Sequence, residues 1–226
     1  MSNPERAPTQ SAAPDTADSP RSNLAPSRLL LVRHGQSTWN ADHRIQGQLD
    51  PPLSERGVAQ ASDLAERLTG HRLAGFYCSD LTRTRQTAEL ISSAVGVDPV
   101  PEPGLREIML GDWEGKTRED LMVESPELWA QWAAEPSWDI VPNGEGARPF
   151  AGRVTTTLER LRERHPHGDV LCVTHGGVVH VALLDVIGRS SRGIFPFLIE
   201  NCSLTVIQRA NGRTVVTTVN DTCHLS

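Results

Sequence analysis

The chain has 226 residues, of which 38% are hydrophobic and 22% charged, enough for one sizeable α/β domain, and no apolar run approaches the roughly 20 residues that a membrane helix requires. Lys plus Arg (22) against Asp plus Glu (28) leaves a formal net charge of -6, the wrong sign for a protein that gains its affinity by neutralising nucleic-acid phosphates. Four cysteines without a C-x-x-C pair indicate neither a zinc ribbon nor a disulfide scaffold, so reduced thiols in a cytoplasmic protein are expected.

Residues 1–27 hold Pro4, Pro8, Pro14, Pro20 and Pro26 among serines and lack any hydrophobic cluster, a composition that predicts a disordered tail with no signal-peptide pattern. At Arg28 the pattern changes, and a single domain is expected over residues 28–226. Leu29-Leu30-Leu31-Val32 is a continuous apolar run and predicts a strand buried on both faces. Ser54 is placed to cap a helix whose apolar positions Val58, Ala61, Leu64, Ala65 and Leu68 follow helical spacing, with Gly70 as its stop. A second strand is expected over 73–79 and a second helix over 82–95, ended by Gly96. Residues 105–146 mix Trp113, Trp129, Trp132 and Trp138 with Gly, Pro and acids, which predicts short helices and long loops forming a lid, the tryptophans serving mainly as packing. Phe150, Val154, Leu158 and Leu161 mark another helix. Val170-Leu171-Cys172-Val173 marks another buried strand with an apolar helix behind it, and Asn211-Gly212 joins two final strands as a hairpin. Strands alternating with helices predict an α/β fold: a three-layer α/β/α sandwich with a mostly parallel central sheet and an antiparallel edge.

In such sheets ligands bind at the carboxyl ends of the strands, and two predicted strands end in Arg33-His34-Gly35 and Thr174-His175-Gly176. Glycine beside each histidine lets a ligand approach the backbone, and Arg33 offers paired donors to phosphate oxygens, so a phosphate pocket is indicated. His165 and His167 lack a third metal ligand at sensible spacing and read as loop residues, and His180, five positions after His175 on an apolar helix, reads as a packed residue.

These segments resemble the histidine phosphatase superfamily, in the branch around the cofactor-dependent phosphoglycerate mutases. Leu31-Val32-Arg33-His34-Gly35-Gln36-Ser37-Thr38-Trp39-Asn40 is similar to that family's opening signature, and Gln46-Gly47-Gln48-Leu49-Asp50 to the segment after it. Cys78-Ser79-Asp80-Leu81 with Arg83 resembles the element bearing its second arginine, Leu105-Arg106-Glu107 its acid-bearing loop, and Val173-Thr174-His175-Gly176 its last motif. The resemblance spans residues 29 to about 210 and implies a phosphoglycerate mutase-like fold. It also implies His34 as a nucleophile forming a phosphohistidine, Arg33, Arg83 and His175 around the phosphoryl oxygens, and Glu107 as general acid and base. Asn40, Gln46, Gly47 and Gly176 become candidate phosphate or substrate contacts, with no cofactor and no metal. Homodimers are frequent in that family, and no residue here points to one.

The mutases of that family carry a longer basic insertion after the acid loop, whereas Glu114-Gly115-Lys116 here leads into a short acidic stretch. That favours hydrolysis of a small phosphorylated substrate, a sugar phosphate or a phosphoglycerate derivative such as glucosyl-3-phosphoglycerate, over a bisphosphoglycerate-dependent mutase. A non-catalytic phospho-ligand-binding role is the third reading. Where the family has Pro-x-Gly-Glu-Ser, this chain has Pro142-Asn143-Gly144-Glu145-Gly146, which removes any contact through that serine.

Overall fold

The computed structural model describes residues 26–190, 192–193 and 195–225. Residues 1–25 of the expected tail lie outside the described residues. Ser27, counted with that tail, instead opens the first strand, β1 (Ser27–Arg33), because its hydroxyl donates to the carbonyl of His165 at 3.0 Å.

The remaining strands are β2 (Gly75–Cys78), β3 (Val100–Pro101), β4 (Gly168–Thr174), β5 (Leu204–Ala210) and β6 (Arg213–Asp221). They form one sheet in the order β3-β2-β4-β1-β5-β6, parallel from β3 to β1, with β5 antiparallel to β1 and β6 antiparallel to β5. The sheet is therefore mostly parallel with an antiparallel edge, and the Asn211-Gly212 hairpin closes that edge with both residues at positive φ. The second strand is shorter than 73–79, and β3 is a two-residue pairing that carries no sequence signal of its own.

The helices are α1 (Thr38–Ala41), α2 (Glu55–Arg67), α3 (Thr82–Val95), α4 (Arg118–Glu124), α5 (Pro126–Ala134), α6 (Ala147–Arg164) and α7 (Gly176–Val186). Ser54 caps α2 by accepting from the Gly57 N–H at 3.1 Å, and Gly96 ends α3 in the left-handed region. Alternation along the strands sorts the core into two layers. Leu30, Val32, Leu171 and Val173 face Ala61 and Leu64 of α2 and Ala88 and Ile91 of α3. Leu29, Leu31, Val170 and Cys172 face Val154 and Leu158 of α6 and Val178 of α7. Such fully buried leucines each contribute about 1.5–3 kcal/mol, which is why the apolar run of β1 is continuous and not alternating.

Residues 105–146 are short helices and loops, as their composition predicts. Trp113 and Leu121 are buried in the core on the α6–α7 side, and Trp129, Trp132 and Trp138 pack against it. All four cysteines are free thiols, three of them buried. Among the described residues no helix is long and apolar enough to cross a membrane.

Candidate active site

The register of the sheet brings the two histidines together. β1 and β4 are parallel neighbours with Arg33 opposite Thr174, so the next residues, His34 and His175, stand side by side at the carboxyl edge. Their ring centroids lie 5.2 Å apart at 64°. The His34 N–H donates to the Thr174 carbonyl at 2.9 Å, tying the two strand ends to each other.

His34 is buried, and its Nδ1 lies 2.7 Å from the carbonyl oxygen of Gly35. A carbonyl can only accept, so Nδ1 carries the proton and the lone pair is left on Nε2. Burial, then the charges of Arg83 and Arg33, hold the His34 pKa well below its ordinary 6.5, which keeps the ring neutral. His175 is likewise pushed well below 6.5, by burial first and Arg83 second. Its Nε2 lies 3.0 Å from the Ser79 hydroxyl, and its buried Nδ1 has no partner among the described residues.

Arg83 is completely buried in the first turn of α3. Its terminal nitrogens donate to the carbonyls of Leu49 and Gly47, both at 2.8 Å, while its Nε has no partner among the described residues. Burial lowers its pKa to about 10, so it stays charged near neutrality. Arg33 is also lowered by burial and is fixed by a 2.6 Å bond from its Nη1 to the Ile199 carbonyl.

Glu107 follows a 3-10 turn at Pro103–Leu105, and its two carboxylate oxygens accept the N–H groups of Ile108 at 2.9 Å and Gly177 at 3.1 Å. The second contact requires glycine: a Cβ on residue 177 would sit 2.1 Å from the Glu107 carboxylate. Thr174 Oγ1 donates to the Leu105 carbonyl at 2.8 Å, anchoring the acid-bearing loop to the end of β4. From α6, Arg153 donates to the carbonyls of Gly104, Arg106 and Glu107 and forms a two-pronged pair with Glu145.

A cavity of about 290 Å³ gathers Arg33, His34, Gln46, Arg83, Glu107 and Gly176. Asn40 and Gly47 stand behind its wall. Asn40 Oδ1 accepts from the N–H and hydroxyl of Ser37, closing the cap of α1, and Gly47 acts through the carbonyl that holds Arg83. Gly47 has φ +50, and a Cβ there would meet the Glu114 carboxylate at 1.9 Å. Gln46 accepts from the Ser37 hydroxyl at 2.7 Å.

The tryptophan-bearing stretch does not cover this cavity; from residues 105–146 only Glu107 lines it. The expected lid is corrected here, because the tryptophans are drawn into the core and the opposite wall comes from Phe195, Phe197, Leu198 and Ile199. That wall, Arg153 and Asn201, whose Nδ2 donates to the His34 carbonyl at 2.9 Å, carry no motif recognisable in the sequence, and Ser79, although inside Cys78-Ser79-Asp80-Leu81, has no role assigned by it. His180 lines the cavity as well, its ring held between the backbones of Gly176 and Phe197. Among the described residues no cluster of three or more His, Cys, Asp or Glu is arranged to hold a metal ion.

Residues 29–222 match the model of a family described as the histidine phosphatase superfamily (branch 1). Phosphoserine phosphatase 1 of Hydrogenobacter thermophilus is 36% identical over 88% of this chain and 94% of its own length. A probable phosphoglycerate mutase of Yersinia pestis is 32% identical over 88% of this chain and 94% of its own. Among solved structures, a mycobacterial glucosyl-3-phosphoglycerate phosphatase in complex with VO3 superposes with a TM-score of 0.74 at 29% identity, covering 85% of this chain and 98% of that one.

Proposed function

The chain belongs to the histidine phosphatase superfamily, and on that premise we propose that it is a metal-independent phosphomonoesterase working through a phosphohistidine on His34. The observation that carries this reading is the tautomer of His34. The Gly35 carbonyl occupies Nδ1, so a neutral Nε2 lone pair is left in a cavity lined by the buried Arg83 and the half-buried Arg33.

The steps follow from that arrangement. Nε2 attacks phosphorus while the bond from phosphorus to the ester oxygen breaks, splitting one displacement into two. Arg33, Arg83 and His175 stabilise the equatorial oxygens; the free N–H at Arg83 Nε supplies a donor that costs no competing bond. Glu107, as general acid, protonates the departing alkoxide. It then takes a proton from the water that attacks the phosphohistidine, releasing phosphate and restoring neutral His34. Gln46 and the Gly176 backbone contact the substrate, and Asn40 and Gly47 hold Ser37 and Arg83 in place. The substrates are small phosphorylated metabolites, with sugar phosphates and phosphoglycerate derivatives such as glucosyl-3-phosphoglycerate as the first candidates, and the active unit is the single domain following the N-terminal tail in a cytoplasmic enzyme.

Phosphate release with EDTA present, over a panel of sugar phosphates, phosphoglycerates and p-nitrophenyl phosphate, tests the reading. Wild type releases phosphate and His34→Ala does not; equal release by both sinks it. The Yersinia relative's name supports a mutase as the second reading, and a mutase requires a bisphosphoglycerate primer for turnover where a phosphatase does not.

A further inference from the structure

We infer that Phe195, Trp138 and the apolar cavity behind them form a leaving-group subsite, so that esters of neutral alcohols bearing an apolar ring are hydrolysed in preference to esters of carboxylate-bearing alcohols. The inference rests on the phosphatase reading and reorders its candidates, placing neutral ring-bearing esters ahead of the phosphoglycerate derivatives.

Charge is the first support. Arg33 and Arg83 are the cations lining the catalytic cavity, and both face the phosphoryl group in the proposed reaction, beside the carboxylate of Glu107. Nearby arginines are already engaged: Arg153 with Glu145 and three carbonyls, Arg106 with Asp80, and Arg44 with the Gly115 carbonyl. A carboxylate on the alcohol therefore meets an acid and an apolar wall in the catalytic cavity, whose described lining holds no cation beyond Arg33 and Arg83 to offset its desolvation.

Shape is the second. Phe195 is stacked on His180, with centroids 4.5 Å apart, and its ring lies 5.5 Å from that of Trp138 at a tilt of 39°. His180 and Phe195 line the catalytic cavity and also a second cavity of about 210 Å³, bounded further by Trp138, Phe150, Val181 and Leu184. Asp185 and Arg189 of that cavity are opposite in sign and add no net charge. The third support is an unused donor. Trp138 Nε1 is buried and has no partner among the described residues, so one acceptor atom on a ring-bearing ligand would complete it.

The test compares kcat/KM for 2-phenylethyl phosphate, glycerol 1-phosphate, phosphoserine and glucosyl-3-phosphoglycerate. The first three are esters of primary alcohols, so differences among them report binding more than leaving-group reactivity. Phenylethyl phosphate is expected to exceed phosphoserine by roughly 10-fold or more, with glycerol 1-phosphate between them. Ala151, half-buried on the wall of the second cavity, gives the variant: Ala151→Trp fills the space and cuts the phenylethyl-to-glycerol ratio by roughly 10-fold. Ala151→Leu, a smaller plug, reads the same ratio if the tryptophan variant does not fold. Equal rates, a preference for phosphoserine or glucosyl-3-phosphoglycerate, or a ratio unchanged in a folded Ala151 variant overturns the subsite while leaving the phosphatase reading standing. Release from no substrate overturns both.

Discussion

Two neighbouring strands end in histidine followed by glycine, and the chain makes the two ends different by what it sets against each ring. At the end of β1 a backbone carbonyl, Gly35 O, holds Nδ1 of His34; at the end of β4 a side-chain hydroxyl, Ser79 Oγ, sits at Nε2 of His175. A carbonyl only accepts, so it fixes one tautomer and one free lone pair. A hydroxyl donates or accepts, so it leaves the choice open. The same local sequence thus yields one ring with a fixed tautomer and a free lone pair and, on the next strand, one whose tautomer its neighbour leaves open.

The largest expected effect separates these two roles. His34→Ala should lower kcat by roughly 10⁴ or more and remove the acid-labile phosphoenzyme, whereas His175→Ala should lower it by roughly 10²–10³ and still become phosphorylated, as for loss of one transition-state donor. Rapid quench with labelled substrate reads both. A phosphoenzyme that survives in His34→Ala but not in His175→Ala would invert the assignment.

A smaller effect is expected from the residue that holds the acid in register with the histidines. Arg153 fixes the carbonyls of Gly104, Arg106 and Glu107 and pairs with Glu145, whose N–H and carboxylate bond Met109 on the loop's far side. Arg153→Met should reduce kcat by roughly 10²-fold, the scale of a misplaced catalytic group, with KM nearly unchanged. Arg153→Lys restores one point of contact but not the fork, and should recover only part of the loss. A rise in KM with kcat intact would make Arg153 a substrate contact and not a positioning residue.

How much of this was legible follows from how local each signal is. The strand at Leu29–Val32, the cap at Ser54, the stop at Gly96 and the hairpin at Asn211-Gly212 each depend on a few adjacent residues, and all appear in the structure. The same holds for Arg33, His34, Arg83, Glu107 and His175: the structure brings all five to one strand edge, although their roles rest on the chemistry proposed above. What stayed hidden is long-range. Ser79 meets His175 across 96 positions and Arg153 meets Glu107 across 46, and nothing beside either residue announces its partner. The lid expectation failed for a related reason. Tryptophans among glycines and acids look like a mobile cover, but their large apolar area is better buried against α6 and α7, which leaves Phe195 and Phe197 to close the cavity.

The smallest effect comes from acid, and it acts on both histidines while sparing the chemistry. Each has a folded-state pKa well below 6.5, so neutral His34 remains the dominant form as pH falls through 6.5, and the acid limb of kcat/KM due to His34 should lie well below that value. Stability moves the other way. Above 6.5 neither folded nor unfolded histidine binds a proton, and nothing is lost. Below it the unfolded chain takes up protons that the buried rings refuse, so unfolding becomes easier by about 1.4 kcal/mol per histidine per pH unit until each folded pKa is reached. For a chain of this size about 2–4 °C of melting temperature accompanies each kcal/mol. Melts between pH 8 and 5 should therefore show a plateau followed by a fall, while activity per folded molecule holds. In a His175→Gln variant the fall should be shallower, since one of the rings that refuse a proton is gone; an unchanged slope would mean that His175 is protonated in the folded protein, and the contrast between the two strand ends would then be one of charge as well as tautomer.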